Sequence, residues 1–501
     1  MKIDTNLHKA LSMIYGIGVF ALSLYFVYFY LQQQSHLNIK DAIYYMAIAD
    51  SILESGKVLN FASIPESQLI TPQNGVVVIH LLLAALGLGH ESRLLAIVII
   101  NYLFHVSAIY PLYKIAQRLG LRTLLPLAAL LGLFLGDYYF YHFQLIPIND
   151  GIFIALSVWL SYLIINSYDK MVRQEQPTSH WLAKLVPIIA LSAILVHFRL
   201  QTLFVLAGAF LAAIVAKRPK FSAWIMIAIV LSLASLFAVY SLIDIGGIAN
   251  STQRLTTYTL RTEQGFFSRS ISFMFSVANE ALPPILFRDF GSPVNLVYTI
   301  FVIAIVLIFI SGLRRGEFPI LFIALLCLIN IFAMISGLIG ILPRYLAFLF
   351  PLFYLFILLC KWTRPIGYAF ITIILIMSFA KLRFGFDIPE SENHKFWRYL
   401  YNHQITLPAE NPLLLSENPH RPYLFLKARS FVGELTWGKI STHQSLFLVG
   451  NRDFLKIRLE TIEHLAQTAN HTFKLRNLAP GYQDNDGFQL LELYDFASKS
   501  H

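Results

Sequence analysis

Apolar runs of about 20 residues recur along the first 380 residues, and no other feature limits the fold as strongly. A helical run of that length spans the hydrocarbon core of a bilayer, because each helical residue rises by about 1.5 Å. Hydrophobic residues make up 57% of the chain and charged residues only 13%. The sequence therefore predicts a mostly α-helical, polytopic membrane protein with about eleven transmembrane helices.

Short basic or turn-rich connections separate the predicted spans. The first run is too long for a signal-peptide core and is followed by glutamines instead of small residues, so we expect it to remain as the first helix. The two runs between 75 and 113 are the weakest prediction, since 75–89 could lie along the membrane interface and leave only the next run, and eleven in total, to cross the bilayer. The predicted spans are 11–31, 75–89 leading into 93–113, 123–141, 150–168, 182–198, 200–216, 221–243, 294–313, 318–340, 343–360 and 365–380.

Lysine and arginine are concentrated at every second connection, and short loops rich in these residues stay cytoplasmic. This pattern predicts a cytoplasmic amino terminus and an outward-facing carboxyl terminus. A basic polytopic chain without retention signals suits a bacterial inner membrane. The pattern also accounts for the net charge of +10 without nucleic acid, for which the sequence carries no recognisable binding module. The basic groups are Lys2 and Lys9; Lys114, Arg118 and Arg122; Lys170 and Arg173; Lys217, Arg218 and Lys220; Arg314 and Arg315; and Lys361 and Arg364.

The composition changes near residue 385. Beyond it the chain carries mixed charges, prolines and short alternating strings such as "SLFLVGNRDFL" and "DGFQLLELYDF". Such strings are typical of strands. We expect residues 1–384 to form the transmembrane domain and residues 385–501 a small periplasmic domain of α/β or mostly β structure.

Two acids fall at the predicted outer ends of apolar segments. Asp41 begins a stretch with apolar residues at helical spacing, which predicts an interfacial helix with Asp41 at its amino-terminal end. Asp150 follows Pro147 and Asn149 at the outer start of a predicted span. Either acid could be an ordinary helix cap, but an ionisable residue at membrane depth is by default a functional candidate.

Two arginines are predicted on the same face, Arg199 in a turn between spans and Arg344 at the start of another span. A guanidinium group matches phosphate through two parallel hydrogen bonds. Acids and arginines together at headgroup depth therefore favour chemistry on a phosphate-bearing lipid. A carboxylate would act as general base on an acceptor hydroxyl, while arginine neutralises the leaving phosphate.

Four stretches together resemble the GT-C superfamily of polytopic glycosyltransferases, which includes the protein O-mannosyltransferases and the bacterial lipid A aminoarabinose transferases. They are "KDAIYYMAIADSILESGKV", "ITPQNGVVVIHLLLAALGLG", "PINDGIFIALSVWLSYLI" and "LPRYLAFLFPLFYLF". The resemblance covers about residues 1–380. Each motif is loose, and the resemblance lies in their order along the chain and in the side of the membrane predicted for each.

The resemblance implies a GT-C fold, a polyprenyl-phosphate sugar as donor, Asp41 as catalytic base and Asp150 as the second acid of the site. The acceptor could be a lipid, a glycan or a protein hydroxyl. The chain departs from the family in having Asp150 where Glu is common, and in reading Thr71-Pro72-Gln73-Asn74-Gly75 without a preceding Glu-Lys pair. No nucleotide site is needed, and a divalent metal is left open as a cofactor. Further candidates for donor or acceptor contacts are Tyr45, Tyr345, Arg254 and Arg261, and the candidate ligands for a divalent metal are Glu66, His80, Asp137 and His142.

Two other interpretations remain open. A transporter or flippase of polyprenyl-linked glycans would explain the spans and the arginines, but transporters place ionisable residues near the bilayer midplane on broken helices. An O-antigen-type polymerase or ligase would need a large outer loop, and the loop at 244–292 is only moderately long.

Overall fold

The computed structural model describes most of the amino-terminal half of the chain and most of its last hundred residues. The described residues are 5–32, 40–55, 75–121, 124–136, 144–173, 181–242, 317–335, 347–349, 392–408, 412–417, 421–426, 435–443, 445–483 and 486–498, with isolated positions between 310 and 376 and residue 428.

The chain divides into two compact units, each built from separate segments of the sequence. The first unit comprises Met1–His36, Thr71–Val76 and Leu95–Gly385. The second unit comprises Leu37–Ile70, Val77–Leu94 and Phe386–His501.

Helices dominate the described residues, as the apolar runs predict. The helices up to residue 335 are α1 (Thr5–Gln32), α2 (Lys40–Ser55), α3 (Gly75–Ala85), α4 (His90–Ser107), α5 (Ile109–Arg118), α6 (Leu124–Gly136), α7 (Asn149–Tyr168), α8 (Trp181–Leu195), α9 (Thr202–Val215), α10 (Pro219–Leu242) and α11 (Phe318–Ile335). A π-helical turn, Asp169–Arg173, extends α7, and a 3-10 turn covers Ala347–Leu349.

Four helical segments are long and apolar enough to cross a bilayer, namely Met13–Gln32, His90–Arg118, Asn149–Val172 and Pro219–Val239. Four shorter apolar helices are Gly75–Ala85, Ala183–Leu195, Thr202–Val215 and Phe318–Asn330. By length and composition, these segments are compatible with insertion in a membrane. The predicted spans 294–313, 343–360 and 365–380 lie largely outside the described residues, so the expected total of about eleven stays a prediction.

Helix α7 is the central helix of the first unit. Its apolar segment is 72% buried, against 22% for that of α1. A helix that is apolar on all sides is expected in such a position. At its carboxyl end Tyr168 stacks on Phe318 of α11 with ring centroids 4.0 Å apart, and Phe221 of α10 meets both rings edge-on.

The small sheet in the second unit has the strand order β1-β2-β4-β3, with β1 (Leu413–Ser416) parallel to β2 (Ser445–Gly450). The other two strands, β3 (His471–Asn477) and β4 (Gln489–Ser498), pair antiparallel. The string "SLFLVG" forms β2, and "QLLELYDFAS" forms β4. Four short helices or helical segments accompany the strands: α12 (Glu392–Asn402), α13 (Arg421–Phe425), α14 (Trp437–Ser441) and α15 (Arg452–Thr468).

Helix α15 begins at a side-chain cap. The Asn451 Oδ1 atom accepts a hydrogen bond of 2.8 Å from the backbone N–H of Phe454, which satisfies one of the free donors of the first turn. Its apolar face, including Leu455 and Ile462, packs on Leu446 and Leu448 of β2 in one buried cluster. The predicted soluble part therefore contains a mixed α/β sheet layer.

Candidate functional site

Asp150 and Arg199 form a buried ion pair in the first unit. Asp150 is 2% exposed and Arg199 is 4% exposed. The Arg199 Nη2 atom donates to the Asp150 Oδ1 atom. Removing two charges from water is costly unless they are paired, so the pairing is what allows both residues to lie among apolar helices.

Local structure holds each partner of this pair. Asp150 lies in the first turn of α7, where the helix dipole favours a carboxylate. The adjacent Asn149 Oδ1 atom accepts a hydrogen bond of 2.9 Å from the backbone N–H of Val76, which joins the start of α7 to α3. Arg199 lies in the tight turn between α8 and α9, where its carbonyl oxygen accepts from the Thr202 hydroxyl at 2.8 Å.

Gly75, the first residue of α3, lies against this turn. Its N–H donates to the His197 carbonyl oxygen at 2.9 Å. A β-carbon at Gly75 would lie 2.7 Å from the Phe198 ring, closer than real β-carbons approach such atoms. A side chain at Gly75 would therefore have to move Phe198, the residue immediately before Arg199.

The ion pair limits how Arg199 can bind a phosphate group. The sequence predicts Asp150 as the second acid of the site and Arg199 as a phosphate ligand, but it does not pair the two. In the structure the negative charge of Asp150 offsets the positive charge of Arg199, so a phosphate group at Arg199 would have to share or displace the carboxylate.

Asp41 lies in the first turn of α2, as the sequence predicts. Residues 41–51 of this helix are more buried than an amphipathic stripe requires, because only Asp41 and Tyr44 among them are partly exposed. Tyr45 is 7% exposed. Asp41 thus keeps partial exposure in the first turn of α2, whereas residues 45–51 are buried.

Asp50 is the centre of a polar cluster in the second unit that sequence reasoning missed. Arg93 holds both Asp50 oxygens, with Nη1 to Oδ1 at 2.6 Å and Nη2 to Oδ2 at 3.0 Å. The Tyr423 hydroxyl donates to Oδ2 at 2.5 Å, and the His90 Nε2 atom lies 3.1 Å from the same oxygen. The available signal was an acid within the apolar stretch of α2, and a partner so distant in sequence could not be assigned from it.

The environment of Asp50 strongly favours its ionised form. Burial alone would raise the pKa of this carboxyl group, but the hydrogen bonds from His90, Arg93 and Tyr423 and the charge of Arg93 outweigh it. The net result is a pKa well below the usual range. The same cluster raises the pKa of Tyr423, first through burial and then through its hydrogen bond to Asp50.

A second contact of the same unit joins α4 to α12. The Tyr401 hydroxyl donates to the Glu91 Oε2 atom. Burial and then the hydrogen bond to the Glu91 carboxylate raise the pKa of Tyr401 to about 12.

Of the four candidate metal ligands, only His80 lies within the described residues. It is fully buried on α3, and neither ring nitrogen has a hydrogen-bond partner there. The described part of the chain contains no group of three or more His, Cys, Asp or Glu side chains arranged to hold a metal ion. Glu66, Asp137 and His142 lie outside the described residues, as do the predicted donor or acceptor contacts Arg254, Arg261, Arg344 and Tyr345.

Comparison with protein-family models gives no match to this chain, and comparison with curated proteins gives none that is significant.

Proposed function

We propose that this chain is a membrane glycosyltransferase of the GT-C type. It transfers a sugar from a polyprenyl-phosphate donor to an acceptor hydroxyl at the outer, periplasmic face of the membrane. The observation that carries the proposal is the buried Asp150–Arg199 ion pair in the first unit, at the start of the apolar helix α7. Ionisable residues held at such a position mark a substrate or reaction site more often than a structural one.

The pair lies at one end of α7 and not near its middle. Transporters concentrate their ionisable residues at the midplane, on interrupted helices. Helix α7 is continuous from Asn149 to Tyr168, so this arrangement favours an enzyme over a flippase.

Asp41 is the proposed general base. Its carboxylate accepts the proton of the acceptor hydroxyl, whose oxygen forms a bond to the anomeric carbon of the donor sugar. The bond between that carbon and the phosphate oxygen breaks, and the electron pair leaves with polyprenyl phosphate. Arg199 and Arg344 are proposed to stabilise the charge on that phosphate, with Asp150 orienting Arg199.

The test is sugar transfer by purified protein reconstituted in vesicles that contain polyprenyl-phosphate sugars. We expect release of polyprenyl phosphate by the wild type, and a loss of at least about a hundredfold for Asp41→Asn, the lower bound typical of removing a general base. The amide keeps the shape of the side chain but cannot take the proton.

Asp453→Asn is the matched control, because Asp453 also lies in the first turn of a helix but is exposed on α15. Equal activity of the two variants would reduce Asp41 to a helix cap. Movement of the lipid-linked sugar across the vesicle without release of polyprenyl phosphate would instead identify a flippase.

A further inference from the structure

Three polar side chains near the start of α7 are buried with unused hydrogen-bonding capacity. Asn101 and Gln144 are fully buried, and Asp150 is 2% exposed. Among the described residues, no partner meets the Asn101 Oδ1 atom, either amide atom of Gln144, or the Asp150 Oδ2 atom. Asp150 pairs with Arg199 only through its other oxygen.

Gly151 shows that the segments carrying these side chains touch. A β-carbon at Gly151 would lie 2.3 Å from the Gln144 carbonyl oxygen and 2.7 Å from the Asn101 Nδ2 atom. The same Asn101 nitrogen donates to the Ile146 carbonyl oxygen at 2.7 Å. The unpartnered atoms therefore belong to three segments that pack directly around the peptide joining Asp150 to Gly151.

Folding alone does not explain such a cluster. Most buried polar atoms in native proteins have a partner, and each one left without costs about 1–3 kcal/mol. A leucine in place of Gln144 would fill a similar volume without that cost. The amide is thus better suited to binding something polar than to filling the core.

The chemistry of the unpartnered atoms selects the kind of ligand. Asn101 Oδ1, Gln144 Oε1 and Asp150 Oδ2 are acceptors, and only the Gln144 nitrogen is a donor. Phosphate oxygens need donors, so this set does not suit a phosphate group. Hydroxyl groups donate one hydrogen bond and accept others, and a sugar ring presents several of them in fixed positions.

We propose that Asn101, Gln144 and the second oxygen of Asp150 form a subsite for the hydroxyl groups of a sugar, separate from the phosphate-binding function of arginine. This inference rests on the proposed glycosyltransferase function and extends it to the residues that select the sugar. The hydroxyl groups belong either to the sugar of the donor lipid or to a sugar acceptor, and the two sources give different results below.

The informative variants are Gln144→Leu and Gln144→Met, which keep the volume and remove the amide. Ser157→Ala is the matched control, since the Ser157 hydroxyl on α7 is also buried without a partner. Two Gln144 variants are used so that loss of folding in one does not decide the outcome.

The first experiment measures thermal stabilisation of each purified protein by undecaprenyl phosphate, undecaprenyl phosphate glucose and undecaprenyl phosphate mannose. The second measures how transfer depends on acceptor concentration. If the sugar of the donor occupies the subsite, the Gln144 variants keep the shift caused by undecaprenyl phosphate and lose the additional shift caused by its sugar. If a sugar acceptor occupies it, they keep both shifts and need at least about tenfold more acceptor, a change of about 1.4 kcal/mol.

Gln144 variants that match Ser157→Ala in both experiments would overturn the subsite, and would mean that buried water satisfies these atoms. A wild type that no lipid stabilises and that transfers no sugar would overturn the glycosyltransferase proposal itself and this subsite with it.

Discussion

The Asp150–Arg199 pair gives a prediction that separates stability from activity. Replacing one residue should lower stability, whereas replacing both should restore stability without restoring activity. Both residues are at least 96% buried, so removing one leaves the other as an uncompensated charge in a medium of low polarity. Breaking a buried ion pair from one side typically destabilises a protein by about 3–5 kcal/mol. We expect losses of that order for Asp150→Leu and for Arg199→Met.

The double variant Asp150→Leu/Arg199→Met is expected to be more stable than either single variant. It contains no unpaired charge, and replacing a buried pair with apolar side chains is often neutral or stabilising. We nevertheless expect the double variant to be inactive in sugar transfer. A stable but inactive protein would separate the role of the pair in the reaction from its role in folding.

The assay is thermal unfolding in detergent, followed by tryptophan fluorescence, for the wild type and the three variants at neutral pH. Lys474→Met is the control, because the Lys474–Asp495 pair at 2.7 Å has side chains that are 66% and 50% exposed. No measurable change is expected there, since exposed pairs contribute little. Additive losses in the double variant would refute the pairing, and full activity in it would remove both residues from the reaction.

Two further predictions concern packing and pH. Gly151→Ala should destabilise the protein by about 1–3 kcal/mol through overpacking. Gly18→Ala is the control, because a β-carbon at Gly18 meets nothing within 4 Å, and it should be neutral or slightly stabilising. Similar unfolding temperatures for both variants would contradict the close approach at Gly151. Folding lowers the pKa of Asp50. Its carboxylate therefore contributes fully to the free energy of unfolding above the unfolded pKa of about 3.9, and this contribution is lost as pH falls toward the folded pKa. The difference in unfolding temperature between the wild type and Asp50→Asn should therefore narrow below about pH 4, and a difference that does not narrow there would show that Asp50 titrates normally.

The sequence alone predicted the mostly helical class of the protein and the positions of most of the described helices. Runs of apolar residues predict helices wherever they are long, because burying backbone groups in an apolar medium requires internal hydrogen bonds. The helices observed at Thr5–Gln32, Asn149–Tyr168 and Pro219–Leu242 follow from this local rule. The start of α7 was equally predictable, since Asn149 and Asp150 follow a proline and precede a long apolar run.

The partners of the ionisable residues were decided by the tertiary structure. Arg199 and Asp150 are 49 residues apart, and Tyr423 and Asp50 are 373 apart. No periodicity relates positions at such distances, and any of several acids could have paired with Arg199 or accepted from Tyr423. The pairing instead follows from which helix ends pack together, because a buried charge is tolerated only where the fold brings an opposite charge or enough hydrogen-bond donors to it.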